Sequence, residues 1–249
     1  SFPTRRSSDL SAGLLLHPTS LPGSHGVGDF GDAAYAFVDF LHRAGMGLWQ
    51  ILPLGPPGAA NSPYQTLSSF AGNPLLISLE RLAADRLLPA RDLPAGGGQA
   101  GRADYAHART VKQRALRLAH RRFAAGEGDT RFRRGLEQFR KDAKDWLEPF
   151  TLYLALKEHY EGRPWYDWPD ASLVQREPGA LERAARQHVD AIELHVFCQY
   201  VFFQQWQALK THANARGIRI MGDVPIYVAL DSADVWADRR FFRVDAKGT

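Results

Sequence analysis

The stretch AGLLLHP, residues 12–18, is a short continuous apolar run closed by proline, the pattern of a strand buried on both faces. LWQILPLG, residues 48–55, repeats that pattern. Between the two, Phe30, Ala33, Ala34, Phe37, Val38 and Leu41 recur at the spacing of one helix face. The spacing predicts a helix from Asp29 to Ala44, with Asp29 as N-cap and Gly45 beyond the last turn. Strand, helix, strand in this order is a βαβ unit, which requires parallel strands and a right-handed crossover.

Downstream the rhythm changes. ISLERLAADRLL (77–88) reads as a helix, PARDLPAGGGQAG (89–101) as a linker rich in breakers, and residues 102–162 as Arg-rich and Ala-rich helix. Leu194, Phe197, Cys198, Val201, Phe202, Gln205, Ala208 and Leu209 then mark one face of a long helix ending before Gly217, and a third parallel strand begins at Ile218. The expected organisation is a disordered or artefactual leader (1–10), a first α/β part (11–80), a helical insertion (81–190), and a helix with the third strand (191–249). Three parallel strands cannot close a barrel, so the chain reads as part of a larger α/β domain.

Composition narrows the function classes. A single cysteine, Cys198, excludes an internal disulfide and fits a buried small apolar side chain. No apolar run approaches the roughly 20 residues of a membrane span and the start lacks the order of a secretory signal, so the expected location is the cytoplasm. The pI near 9.3 raises a nucleic-acid partner. Between Arg102 and Lys144 thirteen Lys or Arg stand against five Asp or Glu, spread around helical segments without an aromatic platform. That is a solvated face, and no nucleic-acid partner is expected.

GSHGVGDFGD (23–32) contains G-x-G-x-x-G at Gly26, Gly28 and Gly31. A dinucleotide loop needs its first glycine at the strand end and an acid about 20 residues later. The first strand ends near His17, and no Asp or Glu lies between Asp39 and Glu80. The glycines therefore shape a loop, and no dinucleotide cofactor is expected.

Chemistry in α/β sheets gathers beyond the carboxyl ends of the strands. Here those ends carry HPTSLPG, LGPPGAANSPYQTLSSFAGNP and GDVPIYVALDSADVW, polar and punctuated by aromatics, as a carbohydrate site would be. On the residues alone, Asp223 is a sugar ligand or a turn residue, Tyr64 a ligand or a half-buried loop aromatic, and Ser62 a ligand or a turn residue. His17 ends the first strand, where it orients the neighbouring loop or touches sugar. Asp231 or Ser232 is an N-cap for ADVWA, and Trp165, Tyr166 and Trp168 anchor the insertion.

GLLLHPTSLPGSHGVGDFG, LWQILPLGPPGAANSPYQTLSSFAGNPLLISLERL and GDVPIYVALDSADVWADRRFF, with PWYDWP between the last two, together resemble the amylomaltases. These are the 4-alpha-glucanotransferases of glycoside hydrolase family 77. The resemblance runs from residue 12 to 249 and covers about the first half of a member. It implies a (β/α)8 TIM barrel, of which this chain carries the first three strands. It also implies transfer of an α-1,4-glucan segment through a covalent glycosyl-enzyme, with Ser62, Tyr64 and Asp223 binding the donor sugar. The nucleophilic Asp, in an R-I-D-H-F-R-G-like stretch, and the acid/base Glu are expected beyond residue 249. The implied partners are maltooligosaccharides, starch or glycogen, with no metal, no cofactor and no membrane. A non-catalytic glucan-binding module and a basic RNA-associated protein stand as alternatives.

Overall fold

The computed structural model describes residues 11–58, 61–97, 101–225 and 227–244; the leader expected at 1–10 lies outside the described residues. Three parallel strands, β1 (Gly13–Leu15), β2 (Leu48–Gln50) and β3 (Arg219–Met221), form a sheet in chain order. Leu14 pairs with Trp49 and Trp49 with Ile220. The crossover from β1 to β2 is α1 (Asp32–Arg43), closed by Gly45 at φ +69°. After β2 come α2 (Leu79–Ala84), α3 (Tyr105–Ala124), α4 (Thr130–Asp142), α5 (Lys144–His159), α6 (Ala171–Val174), α7 (Pro178–Gln187) and α8 (Val189–Ala215). α9 (Ala233–Ala237) follows β3.

Three expectations need correction. β1 is not buried on both faces: it is an edge strand, with Leu14 and Leu15 exposed, while Trp49 on the central strand β2 is fully buried. Asp29 is not an N-cap. Helix α1 starts three residues later, capped by Gly31, because Asp29 is held by a buried lysine. The helix expected over 77–88 stops at Ala84, since Arg86 adopts φ +61°, a left-handed conformation that an α-helix cannot include.

One core runs from the sheet into the following helices: Phe30, Val38, Trp49, Leu116, Phe132, Phe197 and Phe202 all belong to it. Cys198 lies in the same core, and burial pushes its thiol up to about 12. A second cluster gathers Tyr153, Trp165, Trp168 and Trp236 around α5 and α9. Trp165 and Trp168 are buried there, as anchors would be.

The glycine fingerprint serves packing. A Cβ on Gly28 would lie 2.2 Å from the Pro18 carbonyl oxygen, and one on Gly26 would lie 2.6 Å from that of Asp104. Larger side chains would push apart the loop after β1 and the start of α3.

Beneath that loop, the fully buried ammonium of Lys112 on α3 donates to Asp29 Oδ2 at 2.6 Å, Leu75 O at 2.8 Å and Ile77 O at 2.9 Å. Burial pulls the amine down and pushes the Asp29 carboxyl up, yet each offsets the other's charge. Three oxygen acceptors around one nitrogen need three N–H donors, which only the ammonium supplies. Lys112→Met would leave Asp29 buried without its cation and two carbonyls without donors. The expected loss is about 3–5 kcal/mol of stability, read by urea unfolding of this chain, with partial recovery when Asp29→Asn is added.

Candidate functional site

β2 and β3 run parallel, so the segments leaving their carboxyl ends emerge on one side of the sheet. Tyr64 comes from the loop after β2 and Asp223 from just beyond β3. The Tyr64 hydroxyl donates to Asp223 Oδ2 at 2.7 Å, joining residues 159 positions apart in sequence. Asp223 Oδ1 accepts the Val224 N–H at 2.8 Å, and Ser62 Oγ accepts the Tyr64 N–H at 3.3 Å. The three residues singled out in the sequence therefore form one connected group. Each bland alternative is partly present as well: Ser62 orders its turn, and Asp223 holds the backbone that follows it.

The group is open to solvent, with Tyr64 42% exposed. The Asp223 carboxylate accepting the phenolic proton holds the Tyr64 hydroxyl above its ordinary pKa. Further exposed side chains lie along the segment after β3, among them Val224 and Tyr227. A carboxylate beside an aromatic ring offers a hydroxyl acceptor and a face for C–H groups, the two surfaces a sugar ring needs.

This group is supported from behind. Asp231 accepts from the Tyr153 hydroxyl at 2.7 Å and from Lys157 Nζ at 2.5 Å, fixing the chain beyond Asp223 to α5. The N-cap of α9 is Ser232, whose Oγ accepts the Val235 N–H, while Asp234 accepts the Ser69 N–H at 2.7 Å. Asp231 is therefore a tether and not the cap. The sequence did not join Tyr105 or Asn73 to this end. The Tyr105 hydroxyl reaches Thr19 Oγ1 at 3.1 Å across 86 residues, and no periodic pattern encodes such a contact.

His17 follows β1 and is nine-tenths buried. Burial lowers its pKa to about 4, against a smaller upward effect of the Leu52 backbone. Among the described residues no group of three or more His, Cys, Asp or Glu is placed to hold a metal ion.

A family model for 4-alpha-glucanotransferases, Glyco_hydro_77, matches residues 16–248. The chain belongs to the 4-alpha-glucanotransferase family. It is 46% identical over 236 residues to the 4-alpha-glucanotransferase of Thermus thermophilus, covering 95% of this chain and 46% of that protein. It is 41% identical over 243 residues to the chloroplastic/amyloplastic enzyme of Solanum tuberosum, covering 95% of this chain and 42% of that protein. The amylomaltase of Streptococcus agalactiae, solved in complex with acarbose, superposes with a TM-score of 0.90 at 37% identity, over 96% of this chain and 48% of that one. The chain spans about half the length of the curated relatives it matches. Among the described residues no helix is long and apolar enough to cross a membrane.

Two titrations check the geometry. Asp223→Asn replaces the anion beside Tyr64 by a neutral amide, so the Tyr64 phenol should titrate at lower pH than in the unsubstituted chain, followed by its ring carbon resonance. For His17 the folded pKa lies below the unfolded value of about 6.5. The folded state therefore resists a proton that the unfolded state takes up, and the stability this site contributes is present above pH 6.5 and lost as pH falls from about 6.5 to about 4. His17→Gln should flatten that part of the stability–pH curve.

Proposed function

We propose that this chain forms one rim of the glucan cleft of a 4-alpha-glucanotransferase, with β1, β2 and β3 as consecutive strands of a (β/α)8 barrel. The observation that carries the proposal is the 2.7 Å bond between Tyr64 and Asp223, which joins two strand-end segments into one surface in a chain of this family. In this proposal Asp223 accepts hydroxyl protons of a donor glucose unit, Tyr64 covers its C–H face, and Ser62 sets the backbone that presents Tyr64.

Retaining transfer needs a carboxylate nucleophile and a carboxylic acid about 5 Å apart across the glycosidic bond. Asp223 is already engaged with Tyr64 and with its own turn, which suits a group that orients sugar better than one that attacks it. The reacting pair is assigned to the part of the relatives that this chain does not span. The rim itself binds and aligns an α-1,4-glucan; an acarbose complex of the Streptococcus agalactiae amylomaltase supports a ligand of that class.

Titration of the labelled chain with maltotriose, followed by amide and side-chain resonances, tests the proposal. Shifts should concentrate at Ser62, Tyr64 and Asp223, and Asp223→Ala should weaken binding roughly ten- to hundredfold, as for the loss of a hydrogen bond to a charged group. Glucose release from maltotriose by the chain alone should not exceed a blank. Uniform or absent shifts at those residues would overturn the rim, and glucose release above the blank would overturn the assignment of the reacting pair.

A further inference from the structure

Beside the rim, the carboxyl ends of β1 and β2 enclose a cavity of about 130 Å³. A water molecule takes roughly 30 Å³, so there is room for about four waters or for the edge of a sugar ring. His17 lines this cavity and is nine-tenths buried, and its Nδ1 has no hydrogen-bond partner among the described residues. Either tautomer of the imidazole leaves that nitrogen able to bond a hydroxyl, as a donor or as an acceptor. An unsatisfied buried ring nitrogen of this kind costs free energy unless something bonds to it.

The other polar groups have complementary capacity. Asn73 uses Oδ1 to accept the Leu75 N–H at 3.0 Å, and Asn61 uses Oδ1 to accept from Arg109 at 2.7 Å. Each therefore has its Nδ2 as the donor side of the amide. Thr19 Oγ1 accepts from Tyr105 and retains its own hydroxyl proton. Three prolines, Pro53, Pro57 and Pro63, supply stiff apolar wall, and no Asp, Glu, Lys or Arg is among the described lining residues. Polar groups of this mixed kind, without formal charge, suit a neutral polyhydroxylated group. They suit neither a phosphate nor a metal ion.

We propose that this cavity receives the edge of one glucose unit of a glucan lying along the rim, held by a hydroxyl hydrogen-bonded to His17 Nδ1. The proposal rests on the rim reading above and extends it to a residue that follows β1. Pro63 links the two places, since it lines the cavity and stands between Ser62 and Tyr64.

Isotope-filtered NMR on the unsubstituted chain with maltotriose gives the direct test. Intermolecular NOEs are expected from glucose C–H protons to the ring protons of His17 and Tyr105. His17→Phe should raise the Kd for maltotriose roughly three- to tenfold, as for one neutral hydrogen bond. His17→Gln, whose amide keeps both a donor and an acceptor, should hold Kd within about twofold. NOEs and shifts confined to Tyr64 and Asp223, with Kd unchanged in His17→Phe, would leave only water in the cavity and overturn this proposal alone. Contacts at His17 without any at Tyr64 would uphold the pocket and overturn the rim, and silence at both would overturn both. Should His17→Phe fail to fold, by its amide spectrum, the NOEs of the unsubstituted chain and the His17→Gln affinity decide.

Discussion

A buried ammonium holds together three stretches of chain that have no reason of their own to meet. Lys112 sits on α3, far along the sequence from both strand ends it organises, and it ties the loop after β1 through Asp29 to the segment after β2 through Leu75 O and Ile77 O. Isolated, each group would be costly to bury. Together they fix the spacing between the first two strand ends, and Asp29 Oδ1 completes the arrangement by accepting the Gly31 N–H where α1 begins.

Helix α8 performs a similar task with amides. Gln199 bonds both backbone groups of Gly72, at 2.8 Å and 2.9 Å, and Gln205 does the same at Ser78, at 2.7 Å and 3.0 Å. Each side-chain amide stands where a neighbouring strand's peptide group would, so irregular backbone can be buried without unsatisfied polar groups. A chain segment rich in proline and glycine thereby becomes a fixed wall. The loop bearing Ser62 and Tyr64 departs from that wall, and the segment bearing Asp223 is held through Asp231 to Tyr153 and Lys157. The segments after β2 and β3 are thus held by hydrogen bonds from α8 and α5.

Apolar periodicity revealed the strands and the long helices because it reports which face is buried. It misjudged β1, whose continuous apolar run looks the same whether or not another layer covers it. It misjudged Asp29, because an N-cap and a buried ion-pair partner are the same residue type in sequence, and the lysine that distinguishes them lies 83 positions away. Gln205 fell on the apolar face of α8 for a reason that hydrophobicity does not contain, namely its pairing with the Ser78 backbone. Strand ends pointed to the loops that carry Ser62, Tyr64 and Asp223. The specific trio of Ser62, Tyr64 and Asp223 came from resemblance, since a contact across 159 residues leaves no local mark. His17 was visible as a strand-end histidine, but its unpartnered nitrogen and the cavity beside it depend on Asn73 and Tyr105, which nothing in the sequence attaches to it.

The distribution of exposed apolar groups follows from the same division of labour. Leu14, Leu15, Met221, Val224 and Tyr227 are exposed on and beyond the outer strands, while Trp49 between them is sealed and bonded through its indole N–H to Leu16 O at 2.8 Å. An open parallel sheet with apolar edge strands invites further pairing. Its helical side carries the continuous core, so the fold of the described residues is secured from one side only. Tyr64 and Asp223 lie beyond the carboxyl ends of β2 and β3, on a surface open to solvent. The segments that carry them are tied to the helices through Gln199, Gln205 and Asp231, and those bonds do not require the open edges to be covered.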